Sequence, residues 1–279
     1  MPEILSYAFM QRAFLAGTMI GIVCPTIGVF LVLKRLSMIG ETLAHVSLPG
    51  VLIGFLLKTN PIIAALVASL VTALGMEKLR SSFKSYNEIA LAVLTSAGLG
   101  LAVILFNIVK STDTSIQSLL FGSIVALSSK DLQAVWLLGT VVLILVIKYY
   151  SQLFYLTFDE EGAKMAGINC SLLNYTLLVA TSCIVAISMR IIGALLVSSL
   201  LVLPVAGSML ISKSFISTII IANIISLVSI FIGLILSFYY NLAPGGAIVM
   251  VLVTALLLIL GTKKLTDHRS GQVFNRNEV

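Results

Sequence analysis

Charge is scarce in this chain. Asp, Glu, Lys and Arg make up 10% of its 279 residues, where a soluble domain carries about a quarter. So thin a supply cannot coat a globular surface, which excludes an ordinary soluble enzyme. Polar stretches long enough to hold a soluble domain are also missing, so an ATP-binding fold, if one is needed, must sit on another chain. Cysteine occurs three times, as Cys24, Cys170 and Cys183. Their scatter, with no Cys-x-x-Cys, excludes a structural zinc knuckle and a thioredoxin-like motif, and they read as small apolar helix residues. No His-Glu-x-x-His is present, which removes a zinc intramembrane protease. Histidine occurs only twice, and His268 falls in a polar tail.

What fills the chain is apolar: 59% of residues are hydrophobic and the mean hydropathy is +1.14. A membrane span needs about 20 mostly apolar residues. Such runs lie at 10–33, 41–58, 61–77, 88–109, 132–149, 172–189, 191–212, 215–238 and 245–262. The second and third are joined by the tight hairpin Lys58-Thr-Asn-Pro61. The stretch 115–128 is too short to cross and reads as re-entrant or interfacial. Glu3 precedes a first run long enough to span, so the beginning does not read as a cleaved signal peptide. The expectation is an all-α polytopic transmembrane bundle of eight or nine spans. It forms a single domain over 1–279, with 262–279 as a cytoplasmic tail.

Placing Lys34 and Arg35 inside puts Lys78, Arg80, Lys84, Lys148, Lys164, Lys213, Lys263, Lys264, Arg269 and Arg276 inside as well. Only Arg12, Lys58, Lys110, Lys130 and Arg190 remain outside. This bias obeys the positive-inside rule and favours nine crossings with the N-terminus outside. It also accounts for the net charge of +6 without nucleic acid. Gly, Ala and Ser within the spans let helices approach closely. Pro25, Pro49 and Pro204 interrupt three spans, and broken helices at membrane depth accompany substrate paths. Tyr149, Tyr150, Tyr155, Tyr239 and Tyr240 read as interfacial anchors.

Two short segments carry chemistry. In Met38-Ile-Gly-Glu-Thr-Leu-Ala-His-Val-Ser-Leu-Pro-Gly50, Glu41 and His45 are four apart, one above the other on a helix. A carboxylate and an imidazole so placed can hold a divalent cation or a proton. Ionisable groups are costly in lipid, so the pair faces a bundle interior or a watery path. The plainer alternatives are a packed His45 bonded to backbone or Ser47, and a Glu41 that merely suits a helix start. The second segment, Phe158-Asp-Glu-Glu-Gly-Ala-Lys-Met-Ala-Gly167, lies between spans on the inner side. Acids at its front suit a helix N-terminus, and Gly167 suits a left-handed helix end. It reads as a short cytoplasmic amphipathic helix that docks on a soluble partner, or as a simple capped turn.

The chain resembles the permease subunit of ABC importers for zinc and manganese. The resemblance covers nearly all of it. Gly40, Glu41, Ala44, His45, Leu48, Pro49 and Gly50 match the family's early motif. Ile192 to Ala206 matches its Gly-x-Leu-Leu-Val…Leu-Pro segment, and Leu120-Phe-Gly-Ser123 and Pro244-Gly-Gly-Ala247 also fit. The resemblance implies a type II importer-like fold in the cell membrane of a bacterium. It implies a metal site from Glu41 and His45 of two facing copies, with Pro49, Gly50 and Pro204 lining the path or breaking helices. It implies an ATPase-coupling segment at Asp159, Glu160, Glu161, Ala163 and Gly167. The partners implied are a separate ABC ATPase subunit, an extracellular metal-binding protein and a second copy of the chain. No permanent cofactor and no catalytic residue are implied. Glu41 departs from the Asp of many relatives, and its extra methylene alters site size. Leu5-Ser-Tyr-Ala-Phe-Met10 and His45-Val-Ser-Leu48 look closest to zinc importers, so zinc is expected first and manganese next. The alternative is an ion-coupled secondary transporter or channel, with Glu41 and His45 as a relay and no docking helix.

Overall fold

The computed structural model describes residues 6–82, 87–109, 121–123, 127–189, 192–193 and 196–274. These residues form helices and no strand. In order they are α1 Ala8–Leu33, α2 Met38–Leu56, α3 Pro61–Ser82, α4 Asn87–Ile108 and α5 Ser129–Lys148. Then come α6 Tyr150–Phe158, α7 Glu160–Met165, α8 Cys170–Ser188, α9 Val197–Ile211, α10 Phe215–Tyr240 and α11 Pro244–Phe274. Eight are long and apolar enough to cross a membrane, and α9 is a shorter apolar helix of 15 residues.

The helices sort into an inner and an outer set. The apolar windows of α1, α2 and α8 are 67–78% buried, whereas those of α3, α4, α5 and α11 are 17–22% buried. Buried Met10, Ile20, Ile27 and Phe30 make α1 the centre of the main core. Along α10 the polarity is inverted relative to a soluble helix. Ile216, Ile220, Ile224, Val228 and Ile232 face outward, while Thr218, Ala222, Ser226, Ser229, Gly233 and Ser237 are buried, with Ile230 and Leu234 the large apolar side chains among them. Lipid is as apolar as leucine, so nothing drives large apolar side chains inward. Small residues face neighbouring helices because they let backbones pack closely. At Gly28 a β-carbon would collide with the backbone carbonyl of Leu201, so α1 and α9 touch there along their main chains.

Three sequence expectations change. The run 191–212 is not one continuous helix: Gly193 takes φ +92, and among the described residues of the run helix forms over Val197–Ile211. The prolines do not break their helices, since α1, α2 and α9 run through Pro25, Pro49 and Pro204. The break falls at a glycine, which tolerates a left-handed backbone. At the other end α11 continues to Phe274, past the expected stop at 262. The segment 115–128 lies largely outside the described residues.

Candidate functional site

α2 starts from a tightly closed corner. At the end of α1 the Leu36 N–H donates to Leu31 O at 2.8 Å and the Arg35 N–H to Val32 O at 3.0 Å. Arg35 takes the left-handed conformation at φ 59, so the corner is a Schellman closure. α2 then packs on three sides. Gly40 lies against Leu201 of α9, and Val46 against Gly98 of α4. The Thr42 and Thr95 hydroxyls share a 2.8 Å hydrogen bond. Gly50 and Gly54 meet α3 at Ala64, Ala65 and Pro61. A β-carbon at Gly50 would stand 2.8 Å from the Ala64 carbonyl oxygen, so no other residue permits this approach.

Glu41 and His45 stand one turn apart on α2, neither of them fully buried. His45 Nε2 stands 3.8 Å from Glu41 Oε1, with side chains 16% and 46% exposed. His45 Nδ1 is buried with no hydrogen-bond partner. The Ser47 hydroxyl donates to Ala44 O at 2.6 Å instead. The plain reading of a hydrogen-bonded packed histidine therefore has no partner to support it. Among the described residues no cluster of three or more His, Cys, Asp or Glu could hold a metal, so one chain offers two donors. Pro49 and Gly50 line a separate apolar groove of about 690 Å³ between α2, α3 and α4, walled by Ile53, Ile63, Val67 and Leu101. Pro204 is buried within α9. Neither the groove nor Pro204 brings a further donor to the pair.

The acidic segment forms a helix of six residues. Asp159 is its N-cap and accepts from the Gly162 N–H at 2.8 Å. Glu160 and Glu161 stand in the first turn, where the helix dipole favours acids. At its end the Ile168 N–H donates to Ala163 O at 3.0 Å and the Gly167 N–H to Lys164 O at 3.1 Å. Gly167 has φ +79, the left-handed closure expected from sequence. Ala163 is fully buried and pins α7 to the core, while Glu161, Lys164 and Met165 are exposed. Glu160 Oε1 pairs with Lys164 at 3.3 Å, and Glu160 Oε2 stands 3.8 Å from Lys34.

Sequence reasoning missed α6, the helix that carries α7. Its Tyr150, Phe154 and Phe158 recur every four residues and gather around Phe215, at 5.9, 5.0 and 5.9 Å between ring centroids. Phe215 also meets Phe30 at 5.3 Å. That aromatic spacing was the available signal. Of the expected anchors, Tyr239 and Tyr240 are exposed as anchors should be, whereas Tyr150 packs inward.

A bundle of apolar helices, a two-donor pair near a helix start and a capped polar helix between spans define a membrane transport subunit. The ABC 3 transport family model matches residues 6–263, and the chain belongs to that family, the one its motifs resemble. It is 35% identical over 266 residues to a probable metal transport system membrane protein of Treponema pallidum, covering 95% of this chain and 100% of that one. To the manganese transport system membrane protein MntC of Listeria monocytogenes it is 30% identical, covering 98% and 96%. To the high-affinity zinc uptake system membrane protein ZnuB of Haemophilus influenzae it is 31% identical, covering 92% and 98%. The solved structure of PsaBC from Streptococcus pneumoniae in complex with Fab superposes with a TM-score of 0.82 at 27% identity, over 92% of each chain. The chain is thus a multi-pass protein of the bacterial cell membrane and a transport subunit, not an enzyme. ATP hydrolysis belongs to a separate subunit.

Proposed function

We propose that this chain imports a divalent transition metal ion through a site made by Glu41 and His45 of two facing copies. The observation that carries this is the pair itself: 3.8 Å apart, partly exposed, with His45 Nδ1 unbonded and no third donor clustered with it among the described residues. Two donors are too few for a divalent first-row ion. A second copy raises the number to four, two imidazoles and two carboxylates, which suits tetrahedral zinc. The same set also takes Mn²⁺. Zn²⁺ is the first cargo and Mn²⁺ the second, delivered by an extracellular binding protein. The relatives' names include both metals, so the donor set is what favours zinc. Such a site binds weakly, because a conducting site must release its ion. The whole chain acts as one permease domain, with α7 on the cytoplasmic side meeting the ATPase through Glu161, Met165 and their neighbours.

The test is ATP-driven uptake by the chain reconstituted with its ATPase, with Zn²⁺ and Mn²⁺ supplied in competition. Expected is uptake of zinc in preference to manganese, with one ion bound per two copies. Preference for manganese would reverse the order of cargoes. One ion per single copy would remove the shared site.

A further inference from the structure

Lys34 is a cation in an unusual place. Its side chain is only 7% exposed, and burying an ammonium is costly unless it is paired. Its Nζ donates to Asn174 Oδ1 of α8 at 2.6 Å and stands 3.8 Å from Glu160 Oε2 of α7. The other oxygen of Glu160 is held by Lys164 at 3.3 Å. One lysine therefore ties together the end of α1, the start of α8 and the short helix between the spans.

We propose that Lys34 is a positioning residue that passes movement of α7 to the helix carrying Glu41 and His45. This rests on the reading of α7 as the ATPase-docking segment. The other ties between α6–α7 and the bundle include the buried Leu153, Leu156 and Ala163, the aromatic cluster on Phe215 and a weak contact of the Cys170 thiol with the Glu160 carbonyl, and most of them are apolar. Apolar contacts of that kind are non-directional and tolerate sliding. The Lys34–Asn174 contact is a charge-assisted hydrogen bond, which is directional and weakens steeply with misalignment, and it fixes the ammonium group from which the longer ion pair reaches Glu160. Lys34 is also the C-cap of α1, and only Arg35, Leu36 and Ser37 separate it from α2. Those residues are not slack, because Arg35 holds a left-handed conformation inside the closed corner and Leu36 is buried. A pull on the ammonium group is therefore handed to the start of α2, one turn before Glu41.

The experiment compares Lys34→Gln, Glu160→Gln and the exchanged pair Lys34→Glu with Glu160→Lys, each reconstituted with its ATPase in proteoliposomes. It reads ATPase co-purification, ATP hydrolysis, and metal accumulated per ATP. Lys34→Gln, which lies outside the docking helix, should keep the ATPase and hydrolyse ATP; the Glu160→Gln variant is read by metal moved per ATP hydrolysed. Both single variants should move about fivefold less metal per ATP, the size expected for losing one partly exposed ion pair. The exchanged pair should recover most of that loss, which a merely structural lysine would not allow. An unchanged ratio of metal to ATP in the single variants, or an exchanged pair no better than either, would overturn the proposal. If Lys34→Gln fails to reach the membrane, Glu160→Gln decides by the same ratio. If the unaltered complex shows no ATP-driven uptake, the importer reading falls, and this proposal with it.

Discussion

The start of α2 and the α6–α7 unit both hold charged groups near apolar helices, and they treat them in opposite ways. In α7 the polar groups at both ends are satisfied. Asp159 takes the Gly162 N–H, Glu160 pairs with Lys164 at 3.3 Å, and Gly167 closes the last turn. In α2, Glu41 and His45 approach only to 3.8 Å, and His45 Nδ1 has no partner. A surface that must present one shape to a protein gains from fixed internal bonds, because less ordering remains for the moment of binding. An ion site must keep the ligating lone pairs uncommitted, since a nitrogen or oxygen already engaged elsewhere cannot bind the metal, and the other ring nitrogen of a ligating histidine is free to be held. The contrast separates a preformed docking surface from a site that becomes complete only when ion and second copy are present.

The contrast breaks most sharply at the pair. His45→Ala removes an imidazole and Glu41→Gln removes the charge that offsets the cation. Either should lower metal uptake about a hundredfold or more, beyond the range seen for outer-shell partners of metal ligands. Neither should abolish assembly, because each alters one polar group and leaves the glycine and threonine contacts of α2 with α3, α4 and α9 in place. The check is uptake together with membrane level and ATPase co-purification. Uptake at the unaltered rate in either variant removes the pair from the ion's route.

A middle-sized effect is expected at the closing turn of α7. Gly167→Val forces a β-branched residue into φ +79, where an L-residue costs about 1–2 kcal/mol. Nothing lies within 4 Å of the β-carbon position, so the cost is conformational and not a collision. The docking helix should fray and ATPase association weaken about tenfold. Glu161→Lys should weaken association too, by charge reversal on the exposed face. Both proteins should still insert, since neither residue lies in a span. Undiminished co-purification and transport in the Glu161→Lys protein would mean that the segment is only a linker.

What the sequence made legible follows the range of the physics involved. Caps are local chemistry, so Asp159, the acids after it and Gly167 announced α7 from ten residues. The four-residue spacing of Glu41 and His45 is equally local, and the motif around it identified the family. The break before α9 was hidden, because Ile191 to Leu203 is apolar apart from Ser198 and Ser199 and hydropathy does not register a bend at Gly193. Proline misled for a related reason: it weakens a helix locally, but the packing of α1, α2 and α9 carried each through. The extension of α11 was hidden by its polar residues after Lys264, which end a hydrophobic run without ending a helix. The Lys34 contacts with Glu160 and Asn174 join residues far apart in the chain. Counting Lys34 as an inside charge was right in kind but could not show that it is buried.

The smallest effect, and the one that best sharpens the contrast, is at Asp159. Its carboxylate accepts the Gly162 N–H at 2.8 Å, one of the helix-start donors that otherwise lack a partner. Asp159→Ala removes that acceptor, a loss of about 1 kcal/mol for a typical N-cap. If a preformed α7 is what the ATPase recognises, that loss should appear as about fivefold weaker association. Asp159→Asn keeps an amide oxygen in place and removes only the charge, and asparagine is as good a cap as aspartate. It should therefore bind nearly as the unaltered protein does. The measurement is a titration of ATPase onto the chain in detergent for the three proteins side by side. Equal loss in the alanine and asparagine variants would show that the partner reads the charge of Asp159. Loss in alanine alone would show that it reads the fold of the helix, which is the distinction drawn between α7 and the open pair on α2.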